Sequence, residues 1–274
     1  MENVLGRDEK TGIMYKRWIC PSPKAVFLLV HGLGAFSSRW DFLAQFFLQN
    51  NISSYAIELK GFGETQSPKG HIDSFNIYFR DIISLYDIIK KENKGRKIFL
   101  IGESLGALIS FLLAAREPDL FDGLICLSPA FRSRLKFTLM NTMRILSSLL
   151  FNPTNQVQMP FDSKMCTRDV ELQKMMDNDK REHRVATSKL LLNIALAEMR
   201  VDFLKNKIKK PVLFLTAGAL DKITDARETI RVFKNLEEKD KEIIQYPEMV
   251  HALSVELGRE KVFNDILQWV SKRI

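Results

Sequence analysis

The chain has 274 residues, of which 46% are hydrophobic, 27% charged and 10% aromatic. That is enough to bury one large core with an insertion, in an ordinary globular composition. A net charge of +8 raises nucleic acid or anionic membrane as partners, but the basic residues are dispersed, so no nucleic-acid partner is expected. Three cysteines and four histidines lack disulfide-framework or metal-ligand spacing, which argues against both and against a metal site. The opening "MENVLGRDEKTG" carries no basic-then-apolar leader and no run reaches 18 apolar residues, so a reducing cytoplasm is the expected compartment.

In chain order, "AVFLLVH" (25–31) predicts a buried strand and "WDFLAQFFLQN" (40–50) a helix. Strand "SYAIEL" (54–59), helix "DSFNIYFRDIISLYDIIKKEN" (73–93), strand "KIFLIG" (97–102), helix "LGALISFLLAAREP" (105–118) and strand "GLICLS" (123–128) continue the alternation. It resumes with strand "PVLFLTAG" (211–218), a helix over 225–237, strand "KEIIQY" (241–246) and a helix near 258–272. Alternating helices and continuous apolar strands predict a mostly parallel central sheet with helices on both faces. Residues 129–205 break the pattern: they predict helices and loops without a strand, from "LKFTLMNTMRILSSLLF" to "ATSKLLLNIALAEM". The expected organisation is a core over 1–128 and 206–274 with a helical cap inserted at 129–205.

Chemistry enters at "GESLG" (102–106), a G-x-S-x-G between an apolar strand and a helix. A tight turn there raises the Ser104 hydroxyl above the sheet edge, beside helix N–H groups that favour developing negative charge. A serine nucleophile needs a base and an orienting acid, which on such a fold follow in the order Ser, Asp or Glu, His. "LDKITD" puts Asp221 just past one strand, and "VHALS" puts His251 in the loop after the next. Asp225 is the rival acid, but it stands where a helix starts and reads as its cap. Only His251 of the four histidines follows Asp221. "HGLG" (31–34) follows the first predicted strand, which makes the Leu33 and Leu105 N–H groups the expected oxyanion hole, with Gly32 at the substrate. His31 reads as a residue that positions this loop.

These segments resemble the α/β-hydrolases, and within them the monoacylglycerol lipase and lysophospholipase-like branch. The resemblance rests on "HGLGAFSSRW", "KGFGETQSPKGHIDSFNIYFRDI", "GESLGA", "LDKITD" and "VHALSVE", with "CTRDVELQKMMDNDKREHRVATSKLLL" in the cap. It implies an α/β-hydrolase fold and the same Ser104, Asp221 and His251 triad. Glu58 stands where aspartate is usual, Phe62 and Thr65 depart from G-H-G-x-S, and Ala107 replaces a glycine. The expected activity is cofactor-free hydrolysis of a small ester or monoacyl lipid, such as a monoacylglycerol or lysophospholipid. A short-chain carboxylesterase or peptidase with the same triad, and a non-catalytic binding protein on this fold, are the alternatives.

In the cap, Leu135, Leu139, Met143, Leu146 and Leu150 recur at helical spacing, and from Arg132 to Pro160 there are basic residues but no acidic one. The stripe reads first as a face packed on the core. Its second reading is a lid face touching acyl chains or anionic lipid, with Leu139, Met143 and Leu146 against substrate.

Overall fold

Strand Ala25–Val30 (β3) is buried along its whole length, as are Ile52–Glu58 (β4), Gly123–Leu127 (β6) and Val212–Ala217 (β9). Lys97–Glu103 (β5) is exposed only at its first residue, and Lys241–Tyr246 (β10) closes one edge. The six run parallel, in the order β4-β3-β5-β6-β9-β10. The structure is a computed structural model describing residues 5–274. The first four residues of the stretch read for a leader, and of the segment 1–128, lie outside the described residues.

Alternate side chains face opposite ways along each strand. Val26, Leu28 and Val30 pack with helices Phe75–Glu92 (α2) and Leu105–Arg116 (α3), and Ala226–Lys234 (α8) contributes Val232 to the same core. Ala25, Phe27 and Leu29 pack with Asp41–Gln49 (α1) and Arg259–Ser271 (α9), through Phe47, Val262 and Trp269. Two apolar layers thus sandwich the sheet. It is an α/β-hydrolase fold.

Two antiparallel strands, Gly6–Arg7 (β1) and Met14–Trp18 (β2), extend the sheet beyond β4. "MYKRW" alternates and is only partly buried, so it carries no continuous apolar signal. Between β6 and β9 lie helices Leu139–Phe151 (α4), Ser163–Cys166 (α5), Val170–Asn178 (α6) and Ser188–Leu204 (α7). The expectation of no strand there is corrected. Gln156–Gln158 (β7) and Val185–Thr187 (β8) form an antiparallel ribbon, each three residues long and too short to leave a periodic trace.

This segment is tied to the core at its start and again before α7. Ser133 bridges Thr224, and Arg134 N–H donates to Ile223 O at 2.9 Å while its guanidinium donates to Asp221 O at 2.6 Å. Further along, His183 N–H donates to Gly34 O at 3.1 Å and Thr187 N–H to Gly70 O at 2.8 Å.

Candidate active site

Ser104 sits on the turn from β5 into α3 with φ +57°, a left-handed conformation that is costly for a residue with a side chain. Its flanking glycines are dictated by space. A Cβ at Gly102 would lie 2.4 Å from Gly106 O, and one at Gly106 would lie 2.1 Å from Val30 O. The turn therefore closes only if both positions lack side chains.

Asp221 follows β9 and His251 follows β10, so the parallel sheet delivers both to the edge where Ser104 stands. His251 Nε2 is 2.8 Å from Ser104 Oγ, and its Nδ1 is 2.9 Å from Asp221 Oδ2. Asp221 is fully buried, and its carboxylate accepts the Ile223 and Thr224 N–H groups at 2.8 and 2.9 Å and the Thr224 hydroxyl at 2.8 Å. Burial alone would raise this carboxyl; His251 and the Thr224 donors outweigh it and hold it below the ordinary range. Burial likewise opposes charge on His251, but Asp221 and, beyond it, Glu103 turn the net displacement upward. Asp225, the rival acid, caps α8 by accepting Arg227 N–H at 3.1 Å.

Gly32 lies against Ser104: a Cβ there would come 3.2 Å from the serine Cβ. Among the described residues neither Leu33 N–H nor Leu105 N–H has an acceptor, whereas Ser104 N–H is taken by Leu127 O at 2.9 Å. Leu105 opens α3, where unpaired donors are intrinsic. His31 is buried, with Nδ1 2.9 Å from Gly32 O and Nε2 accepting Leu59 N–H at 3.0 Å. Burial pushes its pKa down. A neutral His31 with its proton on Nδ1 clasps the loop to the end of β4.

Above these groups is a cavity of about 350 Å³, walled by the core and by the segment between β6 and β9. Gly32 and Leu146 line it, with Leu135, Thr142 and Ile145. Leu139 and Met143 do not: they are 78% and 63% exposed on the outer side of α4. Leu135 lies before α4 and packs against the core, but within α4 Ser148 alone is buried, so the expected core-packed helical face does not form. Apolar residues occupy both sides of this helix, so their spacing could not say which side turns inward.

Three charged wall residues were not singled out from the sequence. Glu103, buried beside the serine, accepts Ser254 N–H at 2.9 Å and the Ser254 hydroxyl at 2.7 Å, pinning the loop that carries His251. Arg39 pairs with Glu182, both almost buried. Glu198 shares a face with Leu191, Ile194 and Ala195 on α7; that spacing was the available signal. Among the described residues no cluster of acidic, His or Cys side chains is placed to hold a metal.

A family model, Hydrolase_4 (serine aminopeptidase, S33), matches residues 21–258. The chain belongs to this family. Individual proteins give finer likenesses. Monoglyceride lipase of Homo sapiens is 28% identical over 258 residues, covering 92% of this chain and 84% of that one. A Bacillus subtilis phospholipase is 25% identical over 252 residues, 90% of this chain and 95% of that one. The crystal structure of Paleococcus ferrophilus monoacylglycerol lipase superposes with a TM-score of 0.86 at 25% identity, covering 96% and 99% of the two chains. The Hydrolase_4 chain described here is thus a monoacylglycerol lipase-like α/β-hydrolase.

Proposed function

We propose that this protein is a serine ester hydrolase of monoacyl lipids, with monoacylglycerol and lysophospholipid as its substrate class. One observation carries the reading: Ser104 and His251 line a largely apolar cavity, hydrogen-bonded to one another and through His251 to the buried Asp221 behind its wall. The names of the similar proteins, two acylglycerol lipases and a phospholipase, support a glycerolipid substrate.

His251 takes the Ser104 proton as Oγ attacks the ester carbonyl, and Asp221 fixes the imidazole tautomer and stabilises its cation. The oxyanion receives the Leu33 and Leu105 N–H groups, each worth about 3 kcal/mol of transition-state stabilisation. His251 returns the proton to the departing alcohol, and water then cleaves the acyl-enzyme by the same steps. No cofactor takes part. Since His251 works as a base only when neutral, and its pKa is displaced upward, activity should be lost as pH falls through a limb above the ordinary histidine value. A pH–kcat/KM profile of a soluble ester checks this; an ascending limb well below pH 6.5 would contradict it.

Residues 129–205 act in this reading as a cap over the core formed by 1–128 and 206–274. Among the described residues no helix is long and apolar enough to cross a membrane. The outer side of α4 nonetheless exposes Leu139, Met140, Met143, Leu150 and Phe151, with Lys136 and Arg144 nearby. Apolar side chains with flanking cations suit the surface of an anionic bilayer, where cap and substrate would meet.

The test is a hydrolysis panel of p-nitrophenyl esters, monoacylglycerols, lysophosphatidylcholine and aminoacyl anilides, run in solution and with anionic vesicles. Monoacyl lipids should lead, and a Met140→Glu/Phe151→Glu double variant should lose the vesicle-dependent part without a lower melting temperature. Preference for anilides would replace this reading with a peptidase.

A further inference from the structure

The apolar walls that α4 and α7 give to the cavity contain one ionisable group. From α4 come Thr142, Ile145 and Leu146; from α7 come Leu191, Ile194, Ala195 and Glu198. One carboxylate oxygen of Glu198 accepts Ser133 N–H at 3.2 Å, and the other has no donor among the described residues. Ser133 is in turn bridged to Thr224, which hydrogen-bonds the Asp221 carboxylate. Glu198 is therefore held at a fixed place in the wall, on the same side as the catalytic acid.

We propose that Glu198 is a specificity-determining residue that selects against plain alkyl chains long enough to lie across it. This rests on the acyl-ester reading above and adds to it which acyl groups the site accepts. The physical reason is desolvation. A methylene chain covering the free oxygen would take a carboxylate out of water and offer it no hydrogen bond. Chains that stop short, such as acetyl, leave that oxygen hydrated.

The penalty depends on charge, because a protonated carboxyl is far cheaper to cover. Burial already pushes the Glu198 carboxyl up to about 7, against the opposing pull of the Ser133 N–H and Arg132. The neighbouring groups are few. Arg132 faces it from the loop after β6, and Glu228 from α8 acts in the same direction as burial. Glu228 is bound to Arg231, which also binds Asp202 one turn along α7. The cavity-facing residues of α4 are uncharged. Covering the carboxyl thus requires protonation that is nearly free at pH 6 and costs more than a tenfold factor at pH 8.5.

The experiment measures kcat/KM for p-nitrophenyl acetate, octanoate and dodecanoate below their micellar concentrations, at pH 6 and pH 8.5. Taking each long-chain value relative to acetate cancels the titration of the catalytic histidine. In the natural protein the dodecanoate-to-acetate ratio should fall on the order of tenfold between the two pH values. Glu198→Gln keeps an acceptor for Ser133 N–H and should flatten that dependence, and Glu198→Met should raise the ratio at pH 8.5. A ratio that moves with pH equally in all three proteins would overturn the proposal, as would one that moves in none. Those results leave ester hydrolysis standing, whereas no turnover of any ester by the natural protein would sink the ester-hydrolase reading together with this one.

Discussion

Ser104→Ala is expected to lower kcat on a monoacyl ester by on the order of 10⁴-fold or more, with the melting temperature unchanged. The size follows from the three groups acting as a unit: without Oγ, His251 and Asp221 have no nucleophile to activate. Stability should hold because the Ser104 side chain caps no helix donor; α3 begins without a side-chain cap. The strained φ is set by the turn and its two glycines, and alanine tolerates it no worse than serine does. Steady-state kinetics beside a thermal melt decide the matter. A folded variant retaining more than a few per cent of turnover would put the nucleophile elsewhere.

Asp221→Asn should cost on the order of 10⁴-fold in kcat with KM little altered. Asp221 Oδ1 receives two main-chain N–H groups, from Ile223 and Thr224, and the asparagine carbonyl can keep both. Its amide then points at His251 Nδ1, where the wild-type chain has an acceptor at 2.9 Å. An amide donor there drives the ring proton onto Nε2, facing Ser104, so the imidazole can no longer accept the serine proton. The fold survives and the tautomer is wrong. Activity within tenfold of the natural protein would mean that another group orients His251.

Much of this site was readable because its constraints are local. Gly102 and Gly106 are required by contacts within the turn and with the neighbouring strand end, so they show in sequence beside the serine they serve. Asp221 and His251 follow apolar strands, and their order along the chain reflects strand order in the sheet. What stayed hidden depends on contacts between distant segments. Strand β2 pairs with β4 at the rim of the sheet and hides only part of its surface, so its alternation competes with charged residues. The inward side of α4 is chosen by packing against α7, and an apolar spacing satisfied on two sides cannot encode that choice. Glu103 fills the variable position of the serine motif, and only the loop brought to it by β10 gives its carboxylate a partner in Ser254.

The ties between the segment 129–205 and the sheet edge have a bearing on how the protein comes apart. Arg134 and Ser133 fasten the start of this segment beside Asp221, while His183 and Thr187 fasten its later part at Gly34 and Gly70. Between these fastenings α4 buries one side chain, Ser148. Local opening free energy follows buried contact, so this helix belongs to the low end of the range and the strands bearing the triad to the high end. Residues 129–205 thus form a leaf whose first helix can fray while its roots stay fastened beside Asp221 and Gly34, and under the proposed reading a substrate would enter by partial melting of that helix without any rigid-body swing.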